Sequence, residues 1–91
     1  MRTTNKKSSK YVNEMQEFKA SNLSARWETK TKYVVYSYDW YPVYVFDSVS
    51  SVWYENEERY SPSTARQMSQ ARPEQETVKA SHKELKHIIA A

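Results

Sequence analysis

The sequence predicts a small α+β domain, an antiparallel β-meander of three to four strands packed with short N-terminal and C-terminal helices. Three observations carry that prediction. Residues 32–54, KYVVYSYDWYPVYVFDSVSSVWY, hold nine of the thirteen aromatics, and Val, Tyr, Phe and Trp suit a pleated, half-buried surface. Both ends of the chain instead show apolar residues at helical spacing. Finally, 91 residues at 38% hydrophobic composition can build one modest core.

Residues 1–9 have no apolar residue after Met1 and are expected to form a disordered basic tail. A helix is expected over 10–20, with Tyr11, Val12, Met15 and Phe18 on one face and Ser8 or Ser9 as N-cap. Ser21-Asn22 ends it, and the sheet is expected over 22–54. There Leu23, Ala25 and Trp27 alternate against Ser24 and Arg26, the pattern of a half-buried strand. After TKTK, Tyr33 to Tyr38 completes a hairpin, and its two apolar faces make it central. Pro42 lacks an N–H, so it belongs at a strand start or an edge. Val43 to Asp47 follows, with Val43 and Val45 on one face and Tyr44 and Phe46 on the other. Val52-Trp53-Tyr54 begins a brief fourth strand that dies in the acidic run Glu55-Asn56-Glu57-Glu58, expected to be a solvated strand exit.

Ser61 as N-cap and Pro62 at the first helical position start a helix over 62–71. On it Ala65 and Met68 are expected inside, and Arg66, Gln67 and Gln70 outside. Arg72-Pro73 interrupts it, because the residue before proline is pushed out of helical geometry. A last helix is expected over 73–90, with Glu74 and Glu76 complementing its dipole and Val78, His82, Leu85 and Ile89 forming its inward stripe. The helices are expected to cover one face of the sheet.

Composition excludes several classes of chemistry. There is no cysteine, hence no disulfide, thiol nucleophile or Cys-based zinc site, as suits a reducing cytoplasm. There is no glycine either, which excludes the loops that cradle phosphates by close backbone approach and forces φ > 0 turns onto Asn, Asp or longer loops. No run of ~20 apolar residues is present to span a membrane. The net charge of +3 divides as +3 over residues 1–20, −2 over 21–60 and +2 over 61–91. That asymmetry could steer an anionic partner, although charge imbalance of this size commonly serves solubility alone.

No catalytic, cofactor-binding or metal-binding residues are predicted. His82 and His87 lie about 140° apart around a helix axis and cannot share a metal. The acidic run lacks the burial that turns a carboxyl into a general acid, and no His stands in a context that would activate a Ser or Thr. The aromatic excess is mostly core, with a remainder available as a binding face. Exposed aromatics beside cations stack bases in sheet-based single-strand binders, and they are also what protein interfaces are enriched in. The candidate partner-binding residues are Trp40, Tyr41, Tyr44, Tyr60, Arg66, Gln67 and Arg72. Arg59, Arg66, Arg72, Lys79, Lys83 and Lys86 form the basic set that would meet phosphates.

The order of motifs from Phe18 to Pro73 resembles a family of small, mostly bacteriophage-encoded proteins of unknown function. FKASNLSARW is similar to the family's lead-in, YVVYSYDWYPVYVFD to its Tyr-Ser-Tyr strand and aromatic-Pro strand, and VWYENEERYSPSTARQMSQARP to its Trp strand and Ser/Thr entry into a basic helix. Two features depart from the pattern. Thr64 is followed by Ala65-Arg66-Gln67 where relatives often carry Ser-Arg-His or Ser-Lys-His, so no role of that His carries over. Asp39 stands near the place of a frequent Gly. The resemblance implies a phage or prophage origin and a setting in the host cytoplasm. With no catalytic constellation, the expected function is that of a non-enzymatic phage accessory protein that binds a host or phage protein. The alternative is a nucleic-acid-binding module using the basic C-terminal helices and exposed aromatics. No membrane partner is expected, and self-association is left open.

Overall fold

The computed structural model describes residues 2–91, in which α1 (Ser8–Asn13), β1 (Phe18–Lys19), β2 (Leu23–Trp27), β3 (Lys32–Ser37), β4 (Tyr41–Asp47), β5 (Val52–Asn56), α2 (Pro62–Gln70), β6 (Thr77–Ala80) and α3 (His82–Ala90) succeed one another. The class is α+β as expected, with more strand than expected: among the described residues the sheet has six strands in the order β1-β2-β3-β4-β5-β6. Strands β1 to β5 pair antiparallel, and β6 joins β5 in parallel after a crossover through α2. The all-antiparallel meander of three to four strands is therefore corrected to a mixed sheet.

Strand β3 is central and buried along its length. Its period of two sends Tyr33 and Val35 into one core cluster and Val34 and Tyr36 into another. Val12 of α1, Met68 of α2 and Ala71 close the first cluster. Leu85, Ile88 and Ile89 of α3 close the second. Helices thus lie on both faces, not one, because a strand apolar on both faces needs two covers.

Other expected boundaries shift for identifiable reasons. Met1 lies outside the described residues. The rest of the segment expected as a disordered tail has defined backbone: Arg2 bridges Lys19, and Asn5–Lys7 makes a 3-10 turn leading into α1. The helix expected over 10–20 stops at Asn13, where Met15 takes φ 54° and Phe18 enters a strand against Ala25. In β4, Val35 pairs with Tyr44 while Tyr36 pairs with Pro42, so Val43 is skipped as a β-bulge. The bulge sends Val43 to the same cluster as Tyr44 and Phe46, where simple alternation had paired it with Val45. The helix expected over 73–90 is in fact β6 followed by α3. Ser81 separates them: its hydroxyl accepts from Glu84 N at 3.1 Å, and its N–H donates to Glu84 Oε1 at 2.9 Å, closing a capping box. Hydrogen bonding to the carboxyl from the Ser81 backbone, and then from its side chain, holds Glu84 below its usual range.

Helix α2 begins as expected at Ser61-Pro62, with Ser61 N–H donating to Thr64 Oγ1 at 3.1 Å. Its inward face is Thr64, Gln67 and Met68, with Ala71 just beyond. Ala65 is exposed and Gln67 buried, the reverse of the expected assignment.

Candidate functional site

The tight turn between β3 and β4 has Tyr38 at φ 55° and Asp39 at φ 68°, closed by Trp40 N–H to Ser37 O at 3.4 Å. Two consecutive positive φ values define the mirror-image turn that matches strand twist, a turn usually built with glycine or asparagine. Without glycine, the chain holds Tyr38 there by other means. Its hydroxyl shares a hydrogen bond with the Ser63 hydroxyl at the start of α2, and its ring meets Tyr60 edge-on at 6.0 Å. The Ser63 hydrogen bond, then those from Ser61 and Gln67, draw the Tyr38 phenol below its ordinary pKa. Asp39 pairs with Lys19, and that hydrogen bond is the leading cause of its lowered carboxyl pKa.

The turn projects Trp40 against two neighbours. Its ring lies 4.8 Å from that of Tyr60 and 5.5 Å from that of Tyr41, both edge-to-face, the arrangement that ring quadrupoles favour. Trp40 and Tyr60 are each 54% exposed, whereas Tyr41 is buried beneath them. Tyr41 donates to Glu58 O at 3.0 Å and stacks on His82 at 4.6 Å with ring planes only 6° apart. Burial raises the Tyr41 phenol pKa. Behind the stack, buried Asn56 donates to Pro42 O at 2.8 Å and lies 3.3 Å from His82 Nδ1, while its Oδ1 accepts from Glu58 N at 2.8 Å. Glu58 Oε2 accepts from His82 N at 2.9 Å, at the start of α3. These bonds tie β4, the β5 exit and α3 together under the aromatic cluster.

Of the sequence-predicted residues, Trp40, Tyr41 and Tyr60 meet in this cluster and the other four do not. Tyr44 is fully buried on the α2 side and donates to Met68 O at 2.9 Å. Burial lifts its pKa to about 12, a rise that the nearby Arg72 charge opposes. Gln67 is buried and accepts from the Ser37 hydroxyl. Neither is available to a partner. Arg72 is held 3.2 Å from Glu55, and Arg66 stands exposed elsewhere on α2 with no ion pair among the described residues.

Glu55 corrects another expectation. It is 3% exposed, not a solvated strand exit, and it accepts from Thr77 Oγ1 at 2.6 Å while facing Arg59 at 3.6 Å and Arg72 at 3.2 Å. The strand continues through it because β6 pairs alongside, Glu55 opposite Lys79. Sequence reasoning also missed Tyr38 and His82 as parts of the aromatic cluster. The Ser81-x-x-Glu84 capping box was the available signal for a helix starting at His82, and it fixes the ring beside Tyr41. No local signal marked Tyr38.

Among the described residues, no group of three or more His, Cys, Asp or Glu is placed to hold a metal ion, and no helix is long and apolar enough to cross a membrane. No family model, curated protein or solved structure matches the chain.

Proposed function

We propose that this is a non-enzymatic binding protein that captures a protein partner on the Trp40–Tyr60 surface. One observation carries the reading: two large aromatic side chains stand half in solvent, edge-to-face with each other and both packed on a buried Tyr41. Rigid, pre-oriented Trp and Tyr lose little entropy on binding and dominate interface energetics. The sequence resemblance to small phage-encoded proteins supports an accessory role in which the partner is a host or phage protein in the host cytoplasm.

The nucleic-acid reading draws support from Lys83 and Lys86, both exposed on α3. Against it, Arg72 is committed to Glu55, and exposed Glu57 and Glu58 lie between the last sheet-paired residue of β5 and Tyr60. Affinity capture from a bacterial lysate with the wild-type chain and with Trp40→Ala and Tyr60→Ala separates the outcomes. Expected is a partner retained by wild type and lost by both variants, with cross-links mapping to the aromatic cluster. Capture of nothing specific, or equal capture by all three proteins, would overturn the proposal. Gel-shift titration at two salt concentrations tests the nucleic-acid alternative, which fails if nothing shifts at low salt.

A further inference from the structure

The aromatic cluster continues into a groove along α3. A cleft of about 170 Å³ lies between Tyr36, Trp40 and Pro42 on the sheet side and Lys86 and Ile89 on the helix. Lys86 is also a wall of a shallower furrow of about 390 Å³ bordered by His82, Lys83 and His87. The two depressions therefore meet at the Lys86 side chain. Both have mostly apolar linings; the first is aromatic, and the second is bordered by Lys83 and Lys86.

Among the described residues, the lysines of this groove are in no ion pair with the carboxylates around it. The neighbouring carboxylates are already engaged: Glu28 with Arg26, Asp39 with Lys19, Glu58 with the His82 N–H and Glu84 with the Ser81 N–H. Arg26 itself lies over the Tyr36 ring at 4.2 Å. Lys83 and Lys86 have no carboxylate partner among the described residues. What the groove lacks is a large apolar side chain for the cleft and carboxylates for the two ammonium groups.

We infer that the partner presents an acidic peptide segment in which an aromatic or other large apolar side chain enters the Trp40–Ile89 cleft and adjacent carboxylates meet Lys83 and Lys86. This deepens the protein-binding reading and rests on it. A polypeptide fits better than a nucleic acid for two reasons. The cleft is walled by the Pro42 ring and the aliphatic Ile89, which suit one inserted side chain rather than a run of stacked bases. Two unpaired lysines are also few for tracking a phosphate backbone, whose affinity grows with each neutralised charge.

The test titrates the full chain, followed by tryptophan fluorescence, with four probes: a random Glu-Tyr copolymer, polyglutamate, a random Lys-Tyr copolymer and oligo-dT. Trp40 is the most exposed of the three tryptophans and reports occupancy of the cleft in wild type and Lys86→Glu, while titration calorimetry measures binding by Trp40→Ala, which lacks that reporter. Expected is saturable binding of the Glu-Tyr copolymer, weakened ~10-fold or more by Trp40→Ala and by ~5-fold or more by Lys86→Glu. Both side chains are exposed, and circular dichroism checks that each variant is folded. No binding of the Glu-Tyr copolymer, equal binding of polyglutamate, or insensitivity to Lys86→Glu overturns the inference. Tighter binding of oligo-dT overturns it in favour of nucleic acid. If lysate capture still depends on Trp40 and Tyr60 while the copolymer fails, only the acidic-peptide assignment falls.

Discussion

Arg72→Ala is expected to destabilise the fold far more than Arg66→Ala, although both arginines belong to the same basic segment of sequence. Glu55 is buried with Arg72 at 3.2 Å, Arg59 at 3.6 Å and the Thr77 hydroxyl at 2.6 Å. Removing one partner from a buried ion pair costs about 3–5 kcal/mol when nothing replaces it. Here the Arg72 side chain is 54% exposed and Arg59 remains, so solvent screening reduces the expected cost to about 2 kcal/mol. For a chain of this length that lowers Tm by about 10 °C. Arg66→Ala removes an exposed, unpaired side chain and is expected to change stability by no more than about 0.5 kcal/mol. Urea unfolding of the single variants, Glu55→Gln and the Glu55→Gln/Arg72→Ala double variant gives the coupling, expected at about 1–2 kcal/mol. The reasoning fails if Arg72→Ala is as mild as Arg66→Ala, or if the two changes at Glu55 and Arg72 simply add.

Alkaline pH should unfold the protein. Burial raises Tyr36 and Tyr44 from 10.0 to about 12, and Tyr33 further still. Below pH 10 these phenols are protonated in both states. Between pH 10 and 12 the unfolded chain releases protons first, so stability falls, by roughly 3 kcal/mol for Tyr44 alone. Phenolate absorbance and far-ultraviolet circular dichroism followed against pH should change together for the buried set, and phenols titrating freely near 10 in a folded chain would contradict this. Ser51 holds φ 57° in the β4–β5 turn and is exposed, so Ser51→Gly should stabilise by about 0.5–1 kcal/mol. A fall in the urea midpoint would show that its side chain does something the backbone argument misses. Trp40→Ala should leave the unfolding free energy from urea titration within about 1 kcal/mol of wild type, since the ring is only partly covered; a collapse of the fold would assign Trp40 to the core.

The elements most visible in the sequence were those whose local pattern agreed with their final environment. Ser61-Pro62 announced α2, and the alternation of Leu23, Ala25 and Trp27 announced β2, because cap chemistry and strand period act within a few residues. β6 was hidden because Val78, His82, Leu85 and Ile89 happen to fall at helical spacing, while the pairing that makes residues 77–80 a strand comes from distant β5. Tyr44 and Gln67 were misjudged for related reasons. The cover that α2 lays over the Tyr44 face and the actual roll of α2 against the sheet are tertiary choices that neither period reveals. The exposure of Trp40 was legible because a turn dense in aromatics has too little neighbouring chain to bury them all; Tyr41 beside it is buried, and Tyr60 reaches it from beyond β5.

The parallel pairing of β6 with β5 also bears on the order in which the protein assembles. The meander from β1 to β5 is joined by short hairpins, so its contacts close cheap, local loops. β6 can pair only after α2 has crossed over, and α3, the wall that carries Lys86 and Ile89, follows β6 in the chain. The proposed groove therefore exists only once β6 and α3 are in place, after the longer β5–β6 connection has closed. Amide hydrogen exchange is expected to be fastest, among the sheet-covering elements, in β6 and α3, and to slow there first when a partner fills the groove. Occupancy of the groove would then be read out as cohesion of the whole C-terminal layer.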